Sequence, residues 1–550
     1  MKKTALLVRQ LVIPTSWLCL ALPLCLTACG GSSDESGTND DSTPAGSAAN
    51  NAAGTGAGAS GAGGQGAMNL PPSLPPWTDD GKERPNILIC VIDTLRRDAT
   101  TLGDPEVTAK TAPMWPSMPG GMTPNLNEMA KHAAVFTNAY SASPWTVPSH
   151  ASIFTGMLPI AHNCVARTPR LGPVGPTIAE LCARVGYETA AFFSNPWLSD
   201  RATGLLRGFA IKQEATIGDL ATMTGAEGDQ GGAETLRNVD AYLAGRTGEK
   251  PFMMFVNLLE AHLPYAPTPI IRSITMPPLH PTENTSIQWS HEYNARLHPE
   301  DEVDWPKVRG LYAGDVRYAD ELFGVLMQVL DKHKLLKDTI IIVTSDHGEN
   351  LGEHGRMEHQ FSLHETVLAV PLMVRAPGGE IAEGRYSEPV MTTDIYATVA
   401  DLALADQRPK EGRMSVPLMR TAKIKERKRE RAVYGDYMRP HTQLLDFALE
   451  LNPELDLTAL DRAFRTVRVG PMRLTAASDG EVLLHNMLDD PLQETDISEK
   501  HKDMLAGLSN LLVQAQPKTP APQAAPHTMD KKTQDQLKGL GYAPGGDEDE

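Results

Sequence analysis

The chain has 550 residues, of which 41% are hydrophobic and 21% charged, the balance of an ordinary globular protein. Its 68 acidic residues outnumber its 50 basic ones and leave a net charge of −18, which argues against a nucleic-acid partner because phosphate backbones attract basic surfaces. Six cysteines in a chain of this length exclude a fold built on disulfides.

The N-terminus has the pattern of a secretion signal. Three basic residues within the first nine precede an apolar stretch that prolines interrupt. Leu26-Thr-Ala-Cys29 resembles the bacterial lipobox, in which the cysteine is acylated and becomes the first residue of the mature protein. We therefore expect a lipoprotein signal peptide over residues 1–28 and a lipid on Cys29. A soluble secreted protein is the alternative.

The segment 29–78 is rich in Gly, Ala, Ser, Asn and Pro, a composition that predicts a flexible tether. Gly30 directly after Cys29 resembles the outer-membrane lipoproteins of Gram-negative bacteria. The sequence thus predicts a protein of the bacterial cell envelope that is anchored to the membrane by lipid. At the other end of the chain, residues 545–550 are predicted to be a disordered acidic tail.

Between these ends, β-like runs alternate with helix-like segments. This pattern predicts an α/β fold with a large, mostly parallel sheet and helices on both faces. We expect the catalytic domain at 79–440 and a smaller C-terminal α+β subdomain at 441–544. The predicted strands are 86–93, 189–194, 252–257 and 339–346, and the predicted helices are 177–185, 308–335 and one opening at Thr123-Pro124, with Thr123 as its N-cap.

Two features of the predicted folded part leave alternatives open. Cys164 and Cys182 could form a disulfide in an oxidising compartment, or they could be separate buried thiols like Cys90. The basic stretch 423–431 could bind an anionic polymer, but a solvated surface loop is the favoured interpretation.

Two predicted strands end in an aspartate, Asp93 and Asp346, and His347 directly follows the second. In open parallel sheets, ligands bind at the carboxyl ends of the strands, so the two acids can converge on one cation. Carboxylate and imidazole ligands suit Zn²⁺ or Mn²⁺, with Ca²⁺ or Mg²⁺ as alternatives. We therefore expect one divalent metal ion and no organic cofactor.

A hydroxyl is predicted to complete this site. Thr146 precedes Pro148 and falls in the first turn of a helix expected to run to Phe154. The unpaired N–H groups and the positive end of the helix stabilise an alkoxide or a bound oxyanion, and a metal on Asp93 and Asp346 would lower the pKa of the hydroxyl further. Thr146 is therefore the predicted nucleophile and a metal ligand. A plain N-cap is the alternative.

Several ordered motifs between Arg84 and Tyr542 resemble the sulfatase family of the alkaline-phosphatase superfamily. They are Arg84-Pro-Asn-Ile-Leu with Ile92-Asp-Thr-Leu-Arg96, Thr123-Pro-Asn-Leu126, Phe136-Thr-Asn-Ala-Tyr140, Pro148-Ser-His-Ala-Ser-Ile-Phe-Thr-Gly156, Ala261-His-Leu-Pro-Tyr265, Ser345-Asp-His-Gly-Glu-Asn350 and Gly352-Glu-His-Gly355. The resemblance implies a divalent metal, a nucleophile that attacks a sulfate or phosphate ester, and a histidine that assists the leaving group.

The same resemblance assigns further residues. His262 matches the leaving-group histidine, His359 matches a substrate-binding position, and His150 stands where the family has a catalytic arginine. Asn195 could donate a hydrogen bond to the substrate, although a turn before Pro196 explains it equally well.

The chain also departs from the family pattern. Sulfatases oxidise a cysteine or serine to formylglycine, but the corresponding residue is Thr146, so no formylglycine is expected. Thr94 replaces a paired aspartate, and His347 stands where many sulfatases have asparagine. The set of Asp93, Thr146, Asp346 and His347 resembles threonine-nucleophile phosphotransferases of the superfamily. His150, His354 and His364 are candidates for a second metal, which their spacing does not establish.

We expect a metal-dependent hydrolase that acts on sulfate or phosphate esters of a small molecule, glycan or lipid through Thr146. A phosphodiesterase, a phosphonate-ester hydrolase or a phosphoryl-group transferase on the same fold is one alternative. A surface lipoprotein that binds anionic glycans without catalysis is another. Neither a P-loop nor a G-x-S-x-G elbow occurs, which argues against nucleoside triphosphatases and α/β-hydrolases.

Overall fold

The computed structural model describes residues 84–215, 228–269, 271–272, 285–404, 414–422, 430–519, 523–525 and 529–539. The predicted signal peptide, Cys29, the tether and the acidic tail lie outside these residues. No helix in the described ranges is both long and apolar enough to span a bilayer.

An eight-stranded sheet forms the centre of the fold, with the strand order β11-β2-β10-β7-β1-β6-β4-β5. Strand β10 runs antiparallel to its neighbours and the other pairs are parallel, as predicted for the fold class. The strands are β1 Asn86–Ile92, β2 Ala134–Phe136, β3 Ala139–Tyr140, β4 Glu188–Phe193, β5 Ile211–Glu214, β6 Phe252–Leu258, β7 Thr339–Thr344, β8 Asn350–Leu351, β9 Met357–Glu358, β10 Leu372–Arg375, β11 Gly384–Tyr386, β12 Val390–Met391, β13 Ala432–Tyr437, β14 Phe464–Val469, β15 Met472–Ala477 and β16 Val482–Asn486.

Helices cover both faces of this sheet, so its central strands are buried on two sides. Ile87 and Ile89 of β1 pack in one core with α3 and α10, whereas Leu88 and Cys90 pack in the opposite core with α6 and α8. This two-sided burial explains why β1 is an uninterrupted apolar run. The helices are α1 Pro105–Thr111, α2 Pro124–Ala130, α3 Thr146–Thr155, α4 Pro159–His162, α5 Ile178–Arg184, α6 Gly232–Gly245, α7 Ile287–Asn294, α8 Trp305–Lys332, α9 Glu365–Leu368, α10 Asp394–Leu404, α11 Leu418–Ala422, α12 Thr442–Leu451, α13 Lys502–Gln514 and α14 Lys531–Gly539.

The helix starts follow local capping chemistry in one case and a long-range contact in another. Helix α5 begins with a capping box between Thr177 and Glu180. Helix α2 begins at the predicted proline with Thr123 at the N-cap position, as predicted, but the Thr123 side chain makes no capping bond. The carboxylate of Asp320 instead accepts the N–H groups of Asn125 and Leu126 at 2.9 and 2.8 Å.

The C-terminal part of the chain contains a four-stranded antiparallel sheet in the order β13-β14-β15-β16. Its first strand, β13, starts at Ala432, and the subdomain boundary at 441 stays a prediction. Leu508 and Leu512 of α13 share a core with Val467 of β14 and Leu474 of β15, and the same core includes Tyr140. The small sheet therefore packs against the two-stranded sheet of β3 and β12 through a common hydrophobic core.

The structure also decides the two open alternatives where it describes the residues. Cys90, Cys164 and Cys182 are all free and buried, so there is no disulfide among them. Residues 423–429 lie outside the described ranges. Arg431, the last residue of the basic stretch, is not solvated: it forms a buried ion pair with Asp394, with Nη2 donating to Oδ1 at 2.7 Å.

Candidate active site

The carboxyl ends of neighbouring strands bring the predicted ligands together. Strand β1 pairs with β7 on one side and β6 on the other. Asp93 directly follows β1, and Asp346 lies two residues beyond the end of β7. One ligand atom each of Asp93, Asp346 and His347 lies within 4.8 Å of the others, and all three residues are buried. This convergence is what the two strand-end aspartates predict.

Two amides orient the carboxylate of Asp93. Asn195 Nδ2 donates to Asp93 Oδ2 at 2.8 Å and Asn257 Nδ2 donates to the same oxygen at 3.4 Å. Asn195 also accepts the N–H of Trp197 at 3.0 Å, as an N-cap does. Its observed contacts thus position a ligand and a turn, and a contact with substrate stays a prediction. The other oxygen, Asp93 Oδ1, is buried without a hydrogen-bond partner.

Backbone amides orient the carboxylate of Asp346 in a similar way. Its Oδ1 accepts the N–H of His347 at 2.9 Å and the N–H of Thr94 at 3.3 Å. Thr94 adopts a left-handed φ of 53°, rare for a β-branched residue, which turns this N–H towards the carboxylate. Asp346 Oδ2 is buried with no hydrogen-bond partner, and burial together with the Asp93 carboxylate raises the pKa of Asp346 well above its usual range.

His347 is held as a neutral ligand. Its Nδ1 donates to the carbonyl of Gly348 at 2.9 Å, which leaves the lone pair of Nε2 directed at the cluster, 3.3 Å from Asp346 Oδ2 and 3.9 Å from Asp93 Oδ1. Burial lowers the pKa of His347 to about 4. A neutral imidazole whose second nitrogen is fixed by a carbonyl is the usual form of a metal-binding histidine.

These residues fit a divalent cation. Asp93 Oδ1 and Asp346 Oδ2 are acceptor atoms that are buried without a donor, an arrangement that costs free energy unless a positive charge compensates it. With Nε2 of His347 they form an O₂N donor set, which suits Zn²⁺ or Mn²⁺. Asp93, Asp346 and His347 are therefore the residues that would hold the metal.

Thr146 is the first residue of α3, and its hydroxyl faces the cluster. Thr146 Oγ1 lies 3.3 Å from Nε2 of His347. The plain N-cap interpretation is wrong, because the N-cap position is Trp145 and the helix has no side-chain capping bond. The hydroxyl lies instead between the ligand cluster and the positive end of a ten-residue helix.

His150 lies one turn further along α3 and is fully buried. Its Nδ1 is 2.8 Å from the carbonyl of Thr146 and 3.5 Å from Asp346 Oδ2. The ring packs edge-on against Phe255, and burial lowers its pKa. The observed contacts of His150 therefore position Thr146 and the carboxylate of Asp346, and a direct catalytic role stays a prediction.

His262 and His359 extend the site away from the ligands. The His262 ring centroid is 5.3 Å from that of His359, which is 4.4 Å from that of His347. Nδ1 of His262 is 2.7 Å from the carbonyl of Leu263, and its Nε2 is buried without a hydrogen-bond partner. Nε2 of His262 is thus open to a contact with substrate, and its role towards the leaving group stays a prediction.

Sequence reasoning missed three residues that support these side chains. Asn257 is a polar residue inside the apolar strand β6, a signal that could have identified it. Glu349 Oε1 lies 3.1 Å from Nδ1 of His359. Ser149 Oγ donates to the carbonyl of Asp346 at 2.7 Å and ties α3 to the end of β7.

Two of the histidines considered for a second metal do not join the ligand cluster. Within the described ranges, Asp93, Asp346 and His347 are the only group with metal-binding geometry. His354 and His364 stack on each other with centroids 3.8 Å apart, and His354 Nε2 donates to the carbonyl of Leu492 at 2.7 Å.

Comparisons with known proteins show which proteins this chain is similar to. The chain is 27% identical over 394 residues to choline-sulfatase of Rhizobium meliloti (strain 1021), an alignment that covers 61% of the chain and 72% of the relative. It is 26% identical over 321 residues to arylsulfatase K of Mus musculus, covering 51% of the chain and 56% of the relative. It thus spans little more than half the length of some curated relatives.

Among solved structures, the phosphonate monoester hydrolase of Agrobacterium radiobacter superposes with a TM-score of 0.61 at 19% identity, covering 78% of this chain and 95% of the other, which shows a common fold. The family model for Sulfatase matches residues 85–405, a range that contains every described site residue discussed above. The chain belongs to the sulfatase family of ester hydrolases.

Proposed function

We propose that this protein is a metal-dependent hydrolase of sulfate or phosphate esters in which Thr146 is the nucleophile. The observation that supports the proposal most directly is the 3.3 Å distance between Thr146 Oγ1 and Nε2 of His347, beside the buried carboxylates of Asp93 and Asp346. A divalent cation bound to these residues supplies Lewis-acid polarisation and lowers the pKa of the hydroxyl.

The protein's own groups then account for two displacement steps. In the first, Thr146 attacks as the alkoxide: its Oγ1 forms a bond to the sulfur or phosphorus atom, the bond to the leaving oxygen breaks, and His262, protonated on both ring nitrogens, gives that oxygen the proton from Nε2. In the second, water gives a proton to Nε2 of His262 and its oxygen attacks the same central atom, so that the bond to Oγ1 breaks and Thr146 leaves again as the alkoxide. The N-terminal N–H groups of α3 stabilise the negative oxygens in both steps.

The threonine side chain favours phosphorus over sulfur. A formylglycine hydrate has a second hydroxyl that expels sulfate by elimination from carbon, whereas a threonine adduct is cleared only when water attacks the central atom. This attack is more accessible for a phosphothreonine than for a sulfothreonine. We therefore propose that phosphodiesters or phosphonate esters react faster than sulfate monoesters.

A substrate panel tests both statements. The purified, metal-loaded protein is assayed with the para-nitrophenyl esters of sulfate, phosphate, phenylphosphonate and a phosphodiester, and with choline sulfate. We expect the highest kcat/KM for the phosphodiester or phosphonate ester. A higher value for the aryl sulfate would contradict the phosphorus preference. No turnover above a Thr146→Val variant on any ester would leave the non-catalytic glycan-binding interpretation.

We also propose that the mature protein is anchored in the cell envelope through an acylated Cys29, which the lipobox-like segment and the following tether support. Detergent phase partitioning of the expressed protein tests this. The wild type should enter the detergent phase and Cys29→Ala the aqueous phase, and an aqueous wild type would overturn the proposal.

A further inference from the structure

A group of three buried arginines lies where the C-terminal sheet packs on Tyr140 of β3. Arg468 of β14 and Arg473 of β15 are direct cross-strand partners. Their guanidinium groups lie 5.1 Å from the ring centroid of Tyr140, and that of Arg97 lies 5.3 Å from the same centroid. Arg468 and Arg97 are each 4% exposed and Arg473 is 1% exposed, so water does not screen their charges.

The Glu365 carboxylate forms ion pairs with all three arginines. Glu365 Oε1 is 2.6 Å from Arg97 Nη2 and 3.5 Å from Arg468 Nη1, and Glu365 Oε2 is 2.7 Å from Arg473 Nη2. The hydroxyl of Tyr140 accepts from Arg97 and Arg468 and donates to Glu365 Oε1. Because arginine keeps its proton in proteins, this cluster has a surplus of two positive charges.

Neighbouring acids do not remove this surplus. Asp98 accepts two hydrogen bonds from Arg96, at 2.9 Å each. The charge of Asp104 raises the pKa of Arg468, but no ion pair joins these two residues among the described contacts. Burial and the repulsion between the guanidinium groups lower the pKa values of Arg468 and Arg473, as expected for cations that lack a compensating anion.

Hydrogen-bond donors remain open in the same place. Nε and Nη1 of Arg473 are buried without a hydrogen-bond partner. Leaving charged donors unsatisfied in the interior is costly, and the planar fork of a guanidinium matches two oxygens of a tetrahedral oxyanion. A pocket lies on the Arg97 and Glu365 side of the cluster, with Asp98, Thr108 and Thr111 also in its wall; Arg468 and Arg473 do not line it.

We propose that this cluster is a binding site for a small tetrahedral dianion, inorganic sulfate or phosphate, held by Arg473 with Arg468 and Arg97 as its charge partners. A dianion balances the two surplus charges and accepts the open N–H groups. It would also stabilise the contact between the C-terminal sheet, which carries Arg468 and Arg473, and the segment after β1, which carries Arg97. The site is separate from the metal ligands and does not depend on the proposed reaction.

Thermal unfolding of the full protein tests this proposal. The Tm is measured with sulfate or phosphate in place of chloride at equal ionic strength. The proteins compared are the wild type, Arg473→Met, and Asp93→Ala, a variant in which the active site is disabled. An anion that binds only the folded protein raises its Tm. We expect an equal rise in wild type and Asp93→Ala and a smaller rise in Arg473→Met, which keeps only the general stabilisation that these anions give to any folded protein; an equal rise in all three would overturn the proposal. The control Arg246→Met removes an arginine paired with Glu188 elsewhere and should keep the rise.

A rise that disappears in Asp93→Ala and persists in Arg473→Met would place the anion in the active site and overturn the proposal, as would no rise in any of these proteins. If Arg473→Met does not fold, crystals of the unchanged protein grown with selenate, a sulfate analogue that scatters anomalously, decide the question. We expect an anomalous peak within hydrogen-bond distance of Nε and Nη1 of Arg473. Density without such a peak would overturn the site.

Discussion

The hydroxyl oxygen of Thr146 lies 3.3 Å from Nε2 of His347, although 201 residues separate the two in the chain. The helix start that carries Thr146 and the strand end that carries His347 are tied together by Ser149, whose hydroxyl donates to the carbonyl of Asp346. Any ion that binds Nε2 of His347 is thus within reach of the hydroxyl, and this relationship underlies the predictions that follow.

Two replacements of Thr146 should distinguish the contribution of its hydroxyl to activity from that of its side-chain shape. Thr146→Val keeps the side-chain volume and should lower kcat by at least ~10³-fold, whereas Thr146→Ser should keep a measurable part of the activity. Intact-mass analysis should show an unmodified Thr146 at rest and an adduct of phosphoryl mass during turnover of a phosphodiester. The control is Thr155→Val in the same helix, whose hydroxyl donates to the carbonyl of Ala151. Full activity of Thr146→Val would disprove the assignment.

Removal of a ligand carboxylate should remove the metal. Asp93→Ala and Asp346→Ala should each lose stoichiometric metal, measured by elemental mass spectrometry, and at least ~10²-fold in kcat/KM while remaining folded. Asp320→Asn is the matched control, because Asp320 is also a buried carboxylate but caps α2. It should lower stability and leave the metal content unchanged. Full metal in Asp346→Ala would show that the site is misassigned.

The contact between Asn195 and Asp93 predicts a specific kinetic signature. If Asn195 orients the carboxylate, Asn195→Ala should weaken metal affinity by about 10–100-fold, as supporting residues of metal ligands do, and excess metal should restore kcat. Asn257→Ala should behave alike but more weakly, because its hydrogen bond is 3.4 Å long against 2.8 Å. A raised KM with unchanged metal affinity would favour the substrate-binding role of Asn195.

His262 should assist the leaving group. General acid catalysis is typically worth ~10²–10⁴-fold and decreases as the leaving group becomes more acidic. His262→Ala should therefore slow alkyl esters more than para-nitrophenyl esters, which the slope of log kcat/KM against leaving-group pKa measures. An equal loss on both ester types would assign His262 to substrate binding.

The buried His162 makes the fold sensitive to acid. Its Nδ1 accepts the N–H of Cys164 at 3.0 Å and its Nε2 lies 3.0 Å from Ser152 Oγ, so the neutral ring is required. Burial lowers its pKa from 6.5 to about 3. The unfolded chain therefore binds the proton first, and stability that is complete above pH 6.5 is lost as the pH falls towards 3.

Urea unfolding between these pH values measures this effect. Each pH unit of acidification should lower the folding equilibrium constant by up to about tenfold through His162 alone. His162→Gln should be less stable at neutral pH but lose less stability in acid, and His132→Gln, at an exposed position, should follow the wild type. Equal acid dependence of wild type and His162→Gln would contradict the prediction.

The amino-acid sequence by itself determined the parts of this protein that depend on local pattern. Apolar runs such as 86–92 predict strands buried on both faces, and the aspartates that follow such runs lie at the sheet edge where ligands bind. Thr146 near a proline predicts its place at the start of α3. These features were predictable because each follows from neighbouring residues.

Only the tertiary structure decided how side chains from distant segments meet. It showed that Asp320, rather than the side chain of the N-cap residue Thr123, accepts the first N–H groups of α2, and that Asn257 provides the second amide on Asp93. It also gathered Arg97, Arg468 and Arg473 around Tyr140 and a single carboxylate. Contacts of this kind join residues far apart in the chain through strand order and sheet packing, which no local spacing records. Whether a buried charge lacks a compensating partner can therefore be determined only from the complete fold.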